Sequence, residues 1–178
     1  NGICFPLGIE DPSRARYSLD EYCEQSLEFV RQNKDRPFFL YLAYTPPHDA
    51  YIVPELGAYN DLDWSLSHKV YASMITRVDS KIGELLQLLS DQGIDENTIV
   101  FFASDNGNTG GNAREGEVST ASFFNNESPR VGMKGDIREG AFHVPAIARW
   151  SGHIKPGQVS DHIWAMWDFL PTVAELTG

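Results

Sequence analysis

Phe38-Phe39-Leu40-Tyr41-Leu42-Ala43-Tyr44-Thr45-Pro46-Pro47-His48 is the stretch on which the fold turns. Its first seven residues are apolar or aromatic without a polar alternate, and the run is too short for a typical helix. That pattern predicts a strand buried on both faces, the signature of a parallel sheet. Thr45-Pro46-Pro47-His48 ends the run sharply, because proline can neither donate to a ladder nor freely start a helix. Upstream, Asn33-Lys34-Asp35-Arg36-Pro37 is a polar stop. Before it, Leu19, Tyr22, Cys23, Leu27 and Val30 recur at helical spacing. Ser18-Leu19-Asp20-Glu21 has the form of a capping box for that helix. Cys23 falls on its buried side as a small inert thiol. Residues 1–17 show no period and read as a looped or extended lead-in.

Downstream, Val70, Met74, Val78, Ile82, Leu85, Leu86 and Leu89 predict a long amphipathic helix from about Ser65 to Ser90, with Gly93 at its C′ position. Ile99-Val100-Phe101-Phe102-Ala103-Ser104 is a second buried strand, closed by Asp105-Asn106-Gly107. Strand, helix and strand in this order predict an α/β fold with the two strands parallel and joined right-handed. His48 and Asp105-Asn106 then leave the carboxyl ends of their strands, the rim where open α/β sheets bind ligands. Residues 107–133 are a long polar stretch rich in glycine, asparagine and serine (Asn108, Asn112, Ser119, Ser122, Asn125 and Asn126), and loops of that length are usually functional or disordered. Val144–Trp150 is a third strand, Ser151–Gly157 a surface turn, and Asp168 caps a final helix with Pro171 in its first turn.

The 178 residues suit one domain, and 42% hydrophobic with 12% aromatic content supports a core and excludes wholesale disorder. With 14 basic and 25 acidic residues the net charge is −11, a field that opposes nucleic acid and anionic membranes but leaves room for a local cationic pocket. No uncharged run approaches the roughly 18 apolar residues of a membrane span. Two cysteines, Cys4 and Cys23, are too few for a disulfide framework.

Chemistry is concentrated in a few residues. Asp105 and Asn106 offer two hard oxygens at one strand end, suited to calcium or magnesium; Asn106-Gly107 is equally a common turn dipeptide. An EF-hand fits poorly, because Gly107 and Gly116 occupy slots that need oxygen side chains. His48 reads as a surface or capping residue, or as a group that donates to an anion or protonates a leaving group. Lys134, followed by Gly135, reads as a solvated lysine or as a cation where backbone approaches a ligand closely. Arg130, Arg138 and His143 add positive or protonatable groups to the same segment.

In order along the chain, Phe38–His48, Ser104-Asp105-Asn106-Gly107, Lys134-Gly135, Glu139-Gly140 and Val144-Pro145 together resemble the sulfatase (arylsulfatase) family. Tyr71-Ala72-Ser73-Met74, Val78-Asp79, Ile82-Gly83 and Asp168-Phe169-Leu170-Pro171-Thr172 agree with it, over about residues 18–178. The resemblance implies an alkaline-phosphatase-like α/β fold, a mixed and largely parallel sheet flanked by helices. It implies a calcium-dependent hydrolase of small sulfated substrates, aryl or carbohydrate sulfates. Asp105 and Asn106 match the family's second pair of calcium ligands. His48 and Lys134 match residues that hold the sulfate and stabilise charge on the ester oxygen during cleavage. Such chemistry is physically apt, since a fixed cation, a lysine and an imidazole all stabilise negative charge in a desolvated site. An exported location (periplasmic, secreted or lysosomal) is also implied.

Three departures qualify the match. Gly140-Ala141-Phe142-His143 stands where the family often has Gly-Gly-x-Arg. Cys4-Phe5-Pro6-Leu7-Gly8 begins the Cys/Ser-x-Pro-x-Arg formylglycine motif without its arginine, and Glu10 holds the nucleophile slot before Asp11-Pro12-Ser13-Arg14. The formylglycine nucleophile, the other calcium ligands and the smaller C-terminal subdomain are therefore expected outside this chain. Residues 1–178 are expected to be a single, incomplete catalytic domain, inactive alone. Two other readings stand beside this one: a phosphate or phosphonate ester hydrolase of the same superfamily, and a non-catalytic module that keeps the fold.

Overall fold

The computed structural model describes residues 16–48, 50–110, 116–125 and 130–178. Cys4, Glu10 and the motif fragments around them lie outside the described residues. In chain order the elements are α1 (Ser18–Asn33), α2 (Leu66–Asp91), β1 (Val100–Ala103), α3 (Thr120–Phe123), β2 (Ala146–Arg149) and α4 (Phe169–Thr177), with four short 3₁₀ turns between them.

The helix ends follow local chemistry. The capping box expected at Ser18 is not formed: Tyr17 holds the N-cap position, and its carbonyl accepts the N–H groups of Asp20 and Glu21 at 3.0 and 3.2 Å. Glu21, the residue that would close the box, pairs instead with Arg16. α2 starts as expected at Ser65, whose Oγ accepts from the His68 N–H. It ends in a Schellman turn. Gly93 takes φ +70°, its N–H bonds Ser90 O at 3.0 Å, and Ile94 N–H bonds Leu89 O at 3.1 Å.

α1 and α2 form the largest packed unit. Val30, Leu88 and Leu89 are buried together, with Leu27, Leu85, Leu86, Phe38, Leu40, Ile94 and Val100 around them. A second cluster of Val53, Leu56, Val70 and Met74 seats the loop before α2 against the helix. Asp20 and Arg77 tie the two helices through a two-pronged ion pair at 2.8 and 2.7 Å. Cys23 is buried between them, facing Lys81 O and the Glu84 carboxylate. Burial pushes its thiol up from the ordinary value, so the expectation of an inert cysteine holds.

The sheet differs from the expectation. β1 and β2 pair antiparallel, in the register Val100↔Arg149, Phe101↔Ala148, Phe102↔Ile147 and Ala103↔Ala146. Residues 38–44 belong to no strand among the described residues, so the parallel pair predicted across α2 is not seen. Burial on both faces is not seen either. Phe38, Leu40, Leu42 and Tyr44 turn inward, whereas Phe39 is 66% and Tyr41 79% exposed. The segment is therefore extended with a period of two, and aromatic residues on its outer face hid that period in the sequence. Ile147 on β2 is likewise 60% exposed. An Asp95–Arg149 ion pair, two-pronged at 2.6 and 2.9 Å, and Trp150 Nε1–H donating to Glu96 O at 2.9 Å fasten the turn before β1 to the end of β2. α4 starts one residue after Asp168, as expected; the Asp168 carboxylate, however, accepts from Ala165 N–H and closes the preceding turn instead.

Candidate functional site

The rim beyond β1 is built from backbone. Ala103 ends the strand and the chain turns through Ser104, Asp105, Asn106 and Gly107. Ser104 Oγ–H donates to Asn106 O, and Asn106 Nδ2–H donates to Gly107 O, both at 3.0 Å. With its amide nitrogen so engaged, Asn106 has Oδ1 left over as an acceptor. The Asp105 carboxylate is exposed and makes no ion pair with any described residue.

Two backbone bonds stitch this rim to residues 130–143, and a third closes that segment on itself. Gly107 N–H donates to Ala141 O at 2.8 Å, Lys134 N–H to Asn108 O at 2.7 Å, and Gly140 N–H to Val131 O at 2.9 Å. The Asn108 side chain in turn accepts from Gly110 N–H at 2.9 Å, an Asx-type turn that fixes the direction of its own carbonyl. Lys134 is thus anchored three residues beyond Asp105 at the backbone level.

From there the Lys134 side chain reaches His48, and Nζ stands 3.2 Å from His48 Nε2. His48 is carried by the Thr45–His48 turn, whose His48 N–H bonds Thr45 O at 3.0 Å, and the Pro46–Pro47 bond is cis. An ammonium can only donate, so the contact needs a neutral imidazole with its lone pair on Nε2 and its proton on Nδ1. Two candidates 86 residues apart in sequence therefore meet, on a segment bonded to the rim that carries the other two.

The remaining cations of the segment are spoken for. Arg130 Nε bonds the Glu139 carboxylate at 2.5 Å, and Arg138 grips Asp136 through both Nε and a terminal nitrogen. That grip holds the Asp136 carboxyl down at about 2. His143 is placed by its N–H bond to Glu139 O at 2.9 Å. The cationic cluster foreseen in sequence is in fact two internal ion pairs beside one lysine.

Asp105 and Asn106 fit a hard cation by donor chemistry, as adjacent side-chain oxygens that no described partner occupies. They supply two of the roughly six to eight oxygens such an ion takes. Among the described residues no group of three His, Cys, Asp or Glu side chains could hold a metal. The other ligands would have to come from elsewhere in the protein. Asn108, Gly107 and Gly140 were not foreseen as site residues. Their spacing carries no signal, because a glycine or asparagine in a polar stretch reads as a turn until its spatial neighbour is known.

Comparisons with known proteins show the family. The sulfatase family model matches residues 5–178. The chain is 34% identical over 176 residues to N-acetylgalactosamine-6-sulfatase of Rattus norvegicus, covering 98% of the chain and 31% of that protein. It is 31% identical to the steryl-sulfatase of Homo sapiens over 156 residues, 86% of the chain and 25% of the relative. Among solved structures, Ps i-CgsB superposes with a TM-score of 0.78 at 30% identity, covering 96% of this chain and 36% of that one. The same protein in complex with k-i-k-neocarrahexaose gives 0.76 at 31% identity, covering 95% and 36%. The chain thus spans between about a quarter and a third of the length of these relatives.

Proposed function

Because the chain belongs to the sulfatase family, we propose that the protein containing it hydrolyses sulfate esters, and that His48, Lys134, Asp105 and Asn106 are its share of the active site. The observation that carries this is the 3.2 Å contact between Lys134 Nζ and His48 Nε2 on a segment bonded to the Asp105–Asn106 rim. Lys134 places a positive charge where the sulfate oxygens and the departing ester oxygen gain negative charge. His48, with Nε2 3.2 Å from Lys134 Nζ, hydrogen-bonds the sulfate or, in its protonated form, gives a proton to the leaving oxygen. Asp105 and Asn106 Oδ1 would hold one side of a calcium ion, which when bound supplies fixed positive charge beside the sulfate. The formylglycine nucleophile belongs to the part of the protein beyond this chain.

The substrate class we propose is a small sulfated carbohydrate or aryl sulfate. What supports it is the names of the relatives, which include N-acetylgalactosamine-6-sulfatase and a protein solved with a neocarrahexaose. The alkaline-phosphatase-like, largely parallel sheet and an exported location belong to the same proposal for the whole protein. No helix among the described residues is long and apolar enough to cross a membrane.

The test is turnover of nitrophenyl sulfate and nitrophenyl phosphate by the full-length protein, with calcium and after chelation. Sulfate turnover that disappears on chelation and returns with calcium is expected. Preferential phosphate turnover would overturn the reaction class. Sulfate turnover indifferent to chelation would overturn the roles given to Asp105 and Asn106.

A further inference from the structure

The rim and the Lys134 segment approach so closely that no side chain fits between them. A β-carbon added to Gly107 would lie 1.9 Å from Gly140 O and 2.9 Å from its carbonyl carbon. One added to Gly140 would lie 2.3 Å from Gly132 O and 2.8 Å from Arg130 O. Gly132 has φ +109°, and a β-carbon there would meet Arg138 Cβ at 2.8 Å. Gly107 and Gly140 are both buried. Three backbone passes are therefore stacked in direct contact, and the bonds Gly107 N–H to Ala141 O and Gly140 N–H to Val131 O run through the stack.

We propose that Gly107 and Gly140 are positioning residues: their contact without side chains sets the spacing between the Asp105–Asn106 oxygens and the Lys134–His48 pair. This rests on the sulfate-ester reading for its catalytic consequence, though its geometry does not. The obstruction at 1.9 Å is backbone carbonyl, which has no rotamer to swing aside. Any side chain at 107 must push the 138–141 turn away from the rim, and the Lys134 segment, bonded to the rim through Asn108 O and to the turn through Val131 O, is strained between the two. The device controls distance. It touches neither substrate nor metal, so substrate binding should survive while the reacting groups fall out of line. A misplacement of about 1 Å can cost on the order of 10²-fold in rate.

The experiment compares full-length wild type with Gly107→Ala, Gly140→Ala, Asn108→Ala and Gly83→Ala. Gly83 lies on α2 with nothing within 4 Å of an added β-carbon, and serves as the control. Asn108→Ala spares the glycine stack and removes the side-chain acceptor of the Gly110 N–H, so it remains informative if the glycine variants do not fold. Three quantities are read: kcat, KM, and the imidazole nitrogen shifts of His48 in protein labelled with ¹⁵N-histidine. For the folded Gly107→Ala and Gly140→Ala proteins, kcat should fall about 10²-fold with KM within about twofold. Asn108→Ala should lose about tenfold in kcat with unchanged melting temperature, and Gly83→Ala nothing. The His48 Nε2 resonance should leave its acceptor position in the first three variants. Folded variants that keep wild-type kcat and wild-type His48 shifts overturn the proposal, as does a loss confined to KM or to the folded fraction. If the wild type itself cleaves no sulfate ester, the functional reading fails, and the His48 shifts still decide the clamp.

Discussion

Lys134 and His48 should behave as one unit, and a double-substitution cycle can show it. Lys134→Met keeps the apolar stem and removes the charge; loss of one preorganised charge or donor at a developing oxyanion costs about 10²–10³ in kcat. His48→Ala removes the imidazole, and a positioned acid–base group is worth about 10²–10⁴. Acting independently, the two penalties would multiply to about 10⁴–10⁷ in the double variant. The 3.2 Å contact argues against independence. Without Lys134, His48 loses the donor that selects its Nε2 lone pair; without His48, the ammonium loses the acceptor that aims it. Groups in contact couple by about 0.5–3 kcal/mol, and 1.4 kcal/mol is tenfold. The double variant should therefore exceed the product of the singles by about tenfold. The assay is kcat/KM for an aryl sulfate on the full-length protein, with circular dichroism confirming that each variant is folded. Penalties that multiply to within threefold of the product would refute the idea that the contact matters to catalysis.

Three further outcomes test the scaffold in the full-length protein. Asp95 is held below its ordinary value of 3.8, first by Arg149 and then by Ser151. A depressed carboxylate stabilises above the unfolded value and loses that contribution as pH falls through the folded one, so Asp95→Asn should cost about 1 kcal/mol at pH 7 and progressively less below about pH 4; a melting difference that grows on acidification would contradict this. Leu19 is fully buried and Ile137 is 93% exposed. Leu19→Ala should cost about 2–5 kcal/mol in denaturant unfolding, and Ile137→Ala less than about 0.5 kcal/mol; equal costs would mean that the helix packing is misread. The Cys23 peptide should take up iodoacetamide only after denaturation, given a thiol buried between two helices and raised by that burial. Labelling of the native protein at the rate of a free thiol would show that α1 is not docked on α2.

What the sequence disclosed depended on how local the physics was. α2 was legible to within a residue at each end, because its apolar spacing, its Ser65 cap and its Gly93 stop are all written within the helix itself. The segment 38–44 was legible as extended and apolar, but the strand pairing expected of it is not seen. Pairing depends on residues far away, and outward-facing Phe39 and Tyr41 look no different in sequence from inward-facing Phe38 and Leu40. Arg130 and Arg138 suggested free positive charge, yet each sits within reach of an acid, Glu139 and Asp136, that cancels it locally. Lys134 extends instead toward His48.

The site consequently rests on two kinds of information. The reacting groups are side chains that a motif can point to, one by one. Their separation is set by backbone contacts among Gly107, Gly132 and Gly140, where the informative feature is the absence of a side chain. A hydrophobic core tolerates a methylene at a cost of about 1–3 kcal/mol, because neighbouring side chains can yield. Backbone tied down by hydrogen bonds to the neighbouring carbonyls Ala141 O and Val131 O has much less freedom to yield, and moving it strains the Lys134 segment. Substitutions at these glycines should therefore cost activity even in the fraction that folds, whereas substitutions at Leu19 or Val70 should cost stability and leave the folded fraction active. That contrast is why geometry at this rim is expected to be more sensitive to a single methyl group than the core beneath it.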